Sequence, residues 1–173
     1  GDFFEIEEDL LKKKAVLIDP MYGEYEFVLK ELLGKKIVKA RQKKENGFKV
    51  DVDSLLKKID SDTGLVILVN PNNPTGGYIP KNEMIKLLSG IPKEVFLVVD
   101  EAYIDYVGRS ESLETLVEDT PNLVILKSMS KIYALSGARI GYLVANESLV
   151  GKLRTFTPPW SVNLIGQVAA VQP

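Results

Sequence analysis

The sequence predicts a three-layer α/β domain with a largely parallel sheet. Short β-branched or aliphatic runs alternate with helix-like segments along the chain, which is the pattern of helices packed on both faces of a parallel sheet. The 173 residues, 45% of them hydrophobic, suffice for one domain with a substantial core and not for two large ones. We therefore expect a single domain over residues 1–173.

The expected strands are short apolar runs bounded by turn residues or by helix-like segments. They cover residues 15–18, 36–39, 64–69, 95–99, 123–126 and 140–144. The expected helices cover residues 22–33, 53–59, 80–88, 148–156 and 164–171. Gly34 is a stop signal for the first of these helices, and Pro80 suits the first turn of the third. Because ligands of such sheets gather at the carboxyl ends of the strands, residues that directly follow a strand are the candidates for function.

The two ends of the chain differ from this regular pattern. A helix-like stretch covers residues 3–14, and the chain stops at Pro173 soon after its last helix-like segment begins. We expect the chain to be an internal segment of a longer protein.

Charge and hydropathy favour a small-molecule partner. The 22 basic and 24 acidic residues leave a formal net charge of -2, so we expect no broad basic surface for nucleic acid or anionic lipid. Apolar runs such as residues 95–99 are far shorter than a membrane span, and no charged-then-apolar signal opens the chain. We expect a soluble, cytoplasmic protein.

Cysteine and histidine are both absent from the chain. This excludes disulfides, Cys or His zinc sites, a cysteine nucleophile and a Ser-His-Asp triad within it, and we expect no metal site. Proton transfer near neutral pH must then use a carboxylate, a tyrosine or a lysine.

Two stretches place polar side chains directly after a predicted strand. Asn-Pro-Asn-Asn73-Pro-Thr-Gly76 follows residues 64–69, and its prolines and glycine fix an abrupt turn that could hold an asparagine over the sheet edge. Asp100-Glu-Ala-Tyr103 follows residues 95–99, and a buried carboxylate there could keep a pyridine nitrogen protonated. The alternatives are a purely structural turn for the first stretch and a capping or turn acid for Asp100.

A third stretch, Lys127-Ser-Met-Ser-Lys131, is followed eight residues later by Arg139 in a small-residue context. A lysine amine can hold an aldehyde cofactor while an arginine fork clamps its phosphate, and pyridoxal 5'-phosphate (PLP) needs both groups. Hydroxyls such as Ser128 and Ser130 also suit phosphate binding. We expect Arg139 to be partly buried. The alternatives are an exposed lysine, ordinary loop hydroxyls and a surface arginine.

Four motifs, in their order along the chain, resemble those of the class I/II aminotransferase family, the fold type I PLP-dependent enzymes. They are Asn-Asn-Pro-Thr-Gly, Asp-Glu-Ala-Tyr, Ser-Met-Ser-Lys and Gly-Ala-Arg-Ile-Gly-Tyr. The resemblance implies that the chain is the PLP-binding large domain of a homodimeric enzyme. It implies contacts of the cofactor ring with five side chains: a Schiff base with Lys131, a pyridinium partner in Asp100, O3' contacts from Asn73 and Tyr103, and stacking by Tyr22. It assigns the phosphate to Ser128, Ser130 and Arg139.

Within the family, residues 100–106, 131–137 and 159–163 most resemble threonine-phosphate decarboxylase of the cobalamin pathway. The alternative is histidinol-phosphate aminotransferase of histidine biosynthesis, and both act on a phosphorylated amino compound. Trp160 in the last stretch could instead be a core or interface anchor. A different class of function also stays open, namely a non-catalytic binding module with a PLP-enzyme fold. The resemblance also implies that the family's glycine-rich phosphate turn lies in an N-terminal segment, and its substrate-carboxylate arginine in a smaller C-terminal domain, both outside the chain.

Overall fold

A six-stranded sheet is the centre of the computed structural model, which describes residues 13–171. Its strands are β1 (Lys14–Asp19), β2 (Ile37–Arg41), β3 (Thr63–Val69), β4 (Phe96–Asp100), β5 (Leu123–Ser128) and β6 (Gly141–Ala145). Their spatial order is β2-β1-β3-β4-β5-β6, and every neighbouring pair is parallel except β5 with β6. The predicted α/β class with a largely parallel sheet is therefore confirmed.

Among the described residues there are five α-helices, of which the first three connect strands and the last two follow β6. They are α1 (Gly23–Phe27), α2 (Val52–Leu56), α3 (Lys81–Gly90), α4 (Glu147–Arg154) and α5 (Leu164–Ala170). Asp51 and Asn163 cap α2 and α5, because each side chain accepts a hydrogen bond from a first-turn amide. Across residues 13–171, no helix is both long enough and apolar enough to cross a membrane.

Three local predictions need correction. The helix expected over residues 22–33 is shorter, because α1 passes into a π-helical turn, Val28–Leu32, before Gly34 takes a φ of 61°. Residues 3–12 of the helix-like stretch lie outside the described part, and Lys14 begins β1 instead. The connection from β4 to β5 contains three short 3-10 turns, Ile104–Tyr106, Arg109–Glu111 and Glu114–Leu116, where no element was expected.

Alternate side chains of the sheet enter two separate cores. Val16 and Ile18 of β1 join a large core on one face, which also receives apolar residues of α2 and α3. Ala15 and Leu17 point to the opposite face, where Leu29 of the π-helical turn covers them. This alternation is the two-residue period of a strand, and it explains why the central strands are apolar on both sides.

The carboxyl ends of the central strands meet at one edge of the sheet. Val69, at the end of β3, pairs with Asp100, and Asp100 pairs with Leu126 on β5. The backbone ladder continues past the strand ends, since the Asn70 amide donates to the Asp100 carbonyl at 2.9 Å and the Glu101 amide donates to the Leu126 carbonyl at 2.8 Å. This register fixes how far apart the residues that follow the strands lie.

A buried ion pair joins the ends of β4 and β5. Lys127 Nζ lies 2.8 Å from Glu101 Oε2, and the two side chains are 7% and 1% exposed. The Ser112 hydroxyl and the Leu113 amide donate to Glu101, at 2.5 and 2.9 Å, so the carboxylate is fully hydrogen-bonded. Burial lowers the pKa of Lys127, but the hydrogen bond and charge of Glu101, with the charge of Glu114, outweigh it and raise that pKa overall.

Removing the lysine of this pair should destabilise the protein strongly. Lys127→Met leaves the Glu101 carboxylate buried without its cation, and we expect the free energy of unfolding to fall by about 3–5 kcal/mol. The matched control is Lys86→Met, because Lys86 forms an exposed ion pair with Asp53, and we expect its effect to be within experimental error. Urea denaturation of the intact protein measures both. Equal effects of the two substitutions would contradict the structural role of the buried pair.

The same ion pair should make the free energy of unfolding depend on pH in a definite direction. The pKa of Lys127 in the folded state lies above its ordinary value of 10.5, so the stabilisation is complete below that value and is lost as the pH rises through the folded-state pKa. The difference in unfolding free energy between the wild type and Lys127→Met should therefore be constant near neutral pH and shrink in strongly alkaline solution. A difference that already shrinks near neutral pH would refute this.

Candidate active site

The carboxyl edge of the sheet borders a cavity of about 380 Å³. It is lined by every side chain that the sequence analysis proposed for cofactor binding: Tyr22, Asn73, Asp100, Tyr103, Ser128, Ser130, Lys131 and Arg139. These residues come from four segments that follow β1, β3, β4 and β5. The geometry thus brings all of the predicted site residues together, while their individual roles stay predictions.

The loop after β3 is held rigidly by its asparagines. The Asn70 side chain bonds to both the amide and the carbonyl of Ile79, at 2.8 and 2.9 Å. Asn72 Nδ2 donates to the Pro20 carbonyl and to Thr75 Oγ1. Asn73 lies between these hydrogen-bonded residues and faces the cavity. The stretch is therefore a structural turn, as its alternative interpretation proposed, and this turn also fixes a cavity side chain.

Asp100 ends β4 with both carboxylate oxygens engaged. Its Oδ1 accepts the Ala102 amide at 2.9 Å, which is the local turn expected of such an acid. Its Oδ2 accepts the hydroxyl of Tyr25 at 2.6 Å. The two interpretations of Asp100 therefore coexist, because the acid shapes its own turn and lines the cavity.

Tyr25 is a cavity residue that the sequence analysis did not identify. It lies three residues after Tyr22, a spacing that brings side chains to the same side of a helix, and its ring meets that of Tyr22 edge-on with centroids 6.1 Å apart. Burial, followed by the hydrogen bond to Asp100 and the charge of Asp100, raises the pKa of Tyr25 far above its ordinary value. Tyr25 is therefore a neutral hydrogen-bond donor throughout the physiological pH range.

Lys131 and Tyr103 are close neighbours in the cavity. Lys131 Nζ lies 5.6 Å from the centroid of the Tyr103 ring, within cation–π range. Lys131 is exposed, so its amine can reach a ligand without first breaking a buried ion pair. The neighbouring Lys127 differs in this respect, since its amine is committed to Glu101.

The potential anion-binding groups lie on the segment between β5 and β6. The Ser130 amide donates to Ser128 Oγ at 3.2 Å, and the Ser130 carbonyl accepts from Ser136 Oγ at 2.8 Å. Arg139 is exposed rather than partly buried as expected, and its Nη1 donates to the Ser136 carbonyl at 3.3 Å. Its backbone has a left-handed φ of 52°, a conformation that a residue with a Cβ atom rarely adopts.

Gly141 allows β6 to approach β5 beside the cavity. A Cβ atom at this position would lie 2.8 Å from the Lys127 carbonyl oxygen, too close for any non-glycine residue without backbone movement. Trp160 is 93% exposed, which excludes the interpretation that it is a core anchor and leaves its role as an interface anchor a prediction. Within residues 13–171, no cluster of acidic side chains is arranged to hold a metal ion.

The chemistry of the cavity is that of an amine beside an anion-binding region. Lys131 supplies a primary amine and Asp100 a carboxylate, and Arg139 with Ser128 and Ser130 supply donors of the kind that can bind a phosphate. This donor set fits PLP, which has an aldehyde, a basic ring nitrogen and a phosphate.

Comparisons with known proteins identify the family. Residues 10–172 match the family model described as aminotransferase class I and II. The chain is 38% identical over 171 residues to histidinol-phosphate aminotransferase 1 of Cupriavidus pinatubonensis, a match that covers 94% of this chain and 46% of that protein. The chain therefore spans less than half the length of this curated relative.

Two solved structures, each 25% identical in sequence to this chain, represent the two candidate functions. Histidinol-phosphate aminotransferase from Sinorhizobium meliloti, in complex with pyridoxal-5'-phosphate, has a TM-score of 0.81, and the match covers 91% of this chain and 43% of that one. L-threonine-O-3-phosphate decarboxylase from Porphyromonas gingivalis has a TM-score of 0.74, covering 97% and 48%.

These findings correct the order of the two functional interpretations. The sequence motifs ranked the decarboxylase first, but the curated relative and the higher TM-score favour the aminotransferase. The predicted fold type I architecture is confirmed by the same neighbours. Because the family model covers nearly the whole sequence, the chain belongs to the aminotransferase class I and II family.

Proposed function

We propose that the chain is the PLP-binding large domain of a histidinol-phosphate aminotransferase. The observation that carries this proposal is the convergence of the eight predicted cofactor-binding side chains on one cavity at the carboxyl edge of the sheet. The choice of substrate is supported by the 38% identical relative and by the TM-score of 0.81. A cytoplasmic location and a homodimeric assembly, both expected from the sequence, belong to the same proposal.

Four side chains would orient the cofactor ring. Asp100 would accept a hydrogen bond from the ring nitrogen, and its two existing donors hold the carboxylate in place for this. The Tyr103 hydroxyl and the Asn73 amide would bind the ring oxygen O3', and Tyr22 would cover the ring face. PLP bound in this way supplies an electron sink for the charge that develops on the substrate's α-carbon.

The remaining groups of the site bind phosphate and move protons. Ser128, Ser130 and Arg139 would hold the cofactor phosphate with charge-assisted hydrogen bonds. Lys131 would hold the cofactor through its Nζ amine, and the same amine, when free, could accept a proton from the substrate's α-carbon. The Tyr103 ring, 5.6 Å from this amine, is close enough to help keep it in the cavity.

Covalent trapping followed by a substrate panel tests the proposal. The intact protein is incubated with PLP, reduced with borohydride and mapped by mass spectrometry, and we expect one pyridoxyl group on Lys131 Nζ. Histidinol phosphate with 2-oxoglutarate should then yield glutamate, at a rate that Lys131→Ala lowers by about 10²–10⁴-fold or more. Lys152→Ala, a change of an exposed lysine on α4, is the control and should leave both the adduct and the rate unchanged.

The other outcomes separate the competing functions. Release of carbon dioxide from threonine phosphate, without glutamate formation from histidinol phosphate, would establish the decarboxylase. An adduct on Lys131 without turnover of either substrate would favour the binding module. An unmodified Lys131 in a folded, PLP-saturated sample would overturn the cofactor assignment itself.

A further inference from the structure

Tyr25 contacts the cavity carboxylate from outside the set of predicted cofactor ligands. Its hydroxyl donates to Asp100 Oδ2 at 2.6 Å, while the Ala102 amide donates to Oδ1 at 2.9 Å. One donor on each oxygen fixes the plane of the carboxylate and leaves further lone pairs for a ligand in the cavity. Tyr25 lies 75 positions before Asp100 in the sequence, so only the fold brings the two together.

The aromatic ring of Tyr25 is also held in place by neighbouring side chains. Its side chain packs against the core on the α1 side of the sheet, the cluster that contains Ala15, Leu17 and Leu29. Its ring also meets Tyr22 edge-on, at an interplanar angle of 79°. Tyr25 therefore contacts both the Asp100 carboxylate and the ring of Tyr22, which is proposed to cover the cofactor. Packing of Tyr25 against the core supports both contacts.

We propose that Tyr25 is a positioning residue that holds the Asp100 carboxylate aimed at the ring nitrogen of the cofactor. This inference rests on the proposed function. Donors on both oxygens fix the orientation of the carboxylate, and a ring N–H is accepted well only by an oxygen whose lone pairs point towards it. The raised pKa of Tyr25, caused first by burial and then by Asp100, supports this role because the phenol keeps its proton and stays a donor.

The chain contains a second phenol–carboxylate pair that serves as an internal control. The Tyr78 hydroxyl donates to Glu111 Oε2, which also accepts the Lys81 amide at 3.0 Å. Neither Tyr78 nor Glu111 lines the cavity. Removing either phenolic hydroxyl costs one hydrogen bond to a carboxylate, but only the Tyr25 hydroxyl acts on a group that would face the cofactor.

The test compares two cofactors that differ in one ring atom. Tyr25→Phe keeps the aromatic ring and its contact with Tyr22 but removes the hydroxyl. The dissociation constants of PLP and of 1-deazapyridoxal 5'-phosphate, which has a C–H group in place of the ring nitrogen, are measured for the intact protein. We expect Tyr25→Phe to weaken PLP binding about 10-fold and to leave binding of the deaza compound unchanged. Tyr78→Phe should change neither constant.

One further measurement makes each outcome decisive. In an Asp100→Asn background, Tyr25→Phe should have no additional effect on PLP binding, because the group on which it acts is gone. Equal weakening of both cofactors by Tyr25→Phe would reduce Tyr25 to a purely structural residue, and no weakening of PLP would refute the inference while leaving the proposed function intact. A wild-type protein that binds no PLP would overturn both.

Discussion

Lys127 and Glu101 hold the ends of β4 and β5 together, and each is next in sequence to a cavity side chain. Glu101 and Lys127 form the buried pair, while their sequence neighbours Asp100 and Ser128 line the cavity, as part of Lys127 also does. The buried pair thus fixes the separation between the carboxylate proposed for the ring nitrogen and a hydroxyl proposed for the phosphate. A buried ion pair adds little net stability to a fold but penalises any rearrangement that separates its charges.

The residues that line the cavity include one group held by hydrogen bonds and another group that is exposed. Hydrogen bonds hold one group of cavity residues in place: the Asn70 side chain bonds to Ile79 in the loop after β3, and Tyr25 bonds to Asp100. Such fixed positions suit groups that must orient a planar ring. Lys131 and Arg139 are exposed on the segment between β5 and β6. This division is consistent with the proposed chemistry, in which the ring stays fixed while Lys131 exchanges partners with each substrate.

The sequence alone was sufficient to predict the strands to within about two residues and to identify eight cavity side chains. Both successes have the same physical origin: in a parallel sheet the carboxyl ends of neighbouring strands share one edge, so residues that follow different strands must meet. Tyr25 was missed because its partner Asp100 is distant in the sequence, and no local pattern encodes that contact. Arg139 was expected to be partly buried because its neighbours are small and apolar, but the composition of the neighbouring residues does not determine how far a loop side chain is exposed. The motifs ranked the decarboxylase first, whereas the comparisons favour the aminotransferase, because most of the motifs belong to the cofactor site that both enzymes share.

The most direct test is a crystal structure of the intact protein with PLP bound. The account predicts the ring nitrogen about 2.7–2.9 Å from a carboxylate oxygen of Asp100, with the Tyr25 hydroxyl still on that carboxylate and the phosphate contacting Ser128, Ser130 and Arg139. Cofactor bound elsewhere, or bound with its ring nitrogen turned away from Asp100, would contradict the central claim that the sheet edge is built around this carboxylate.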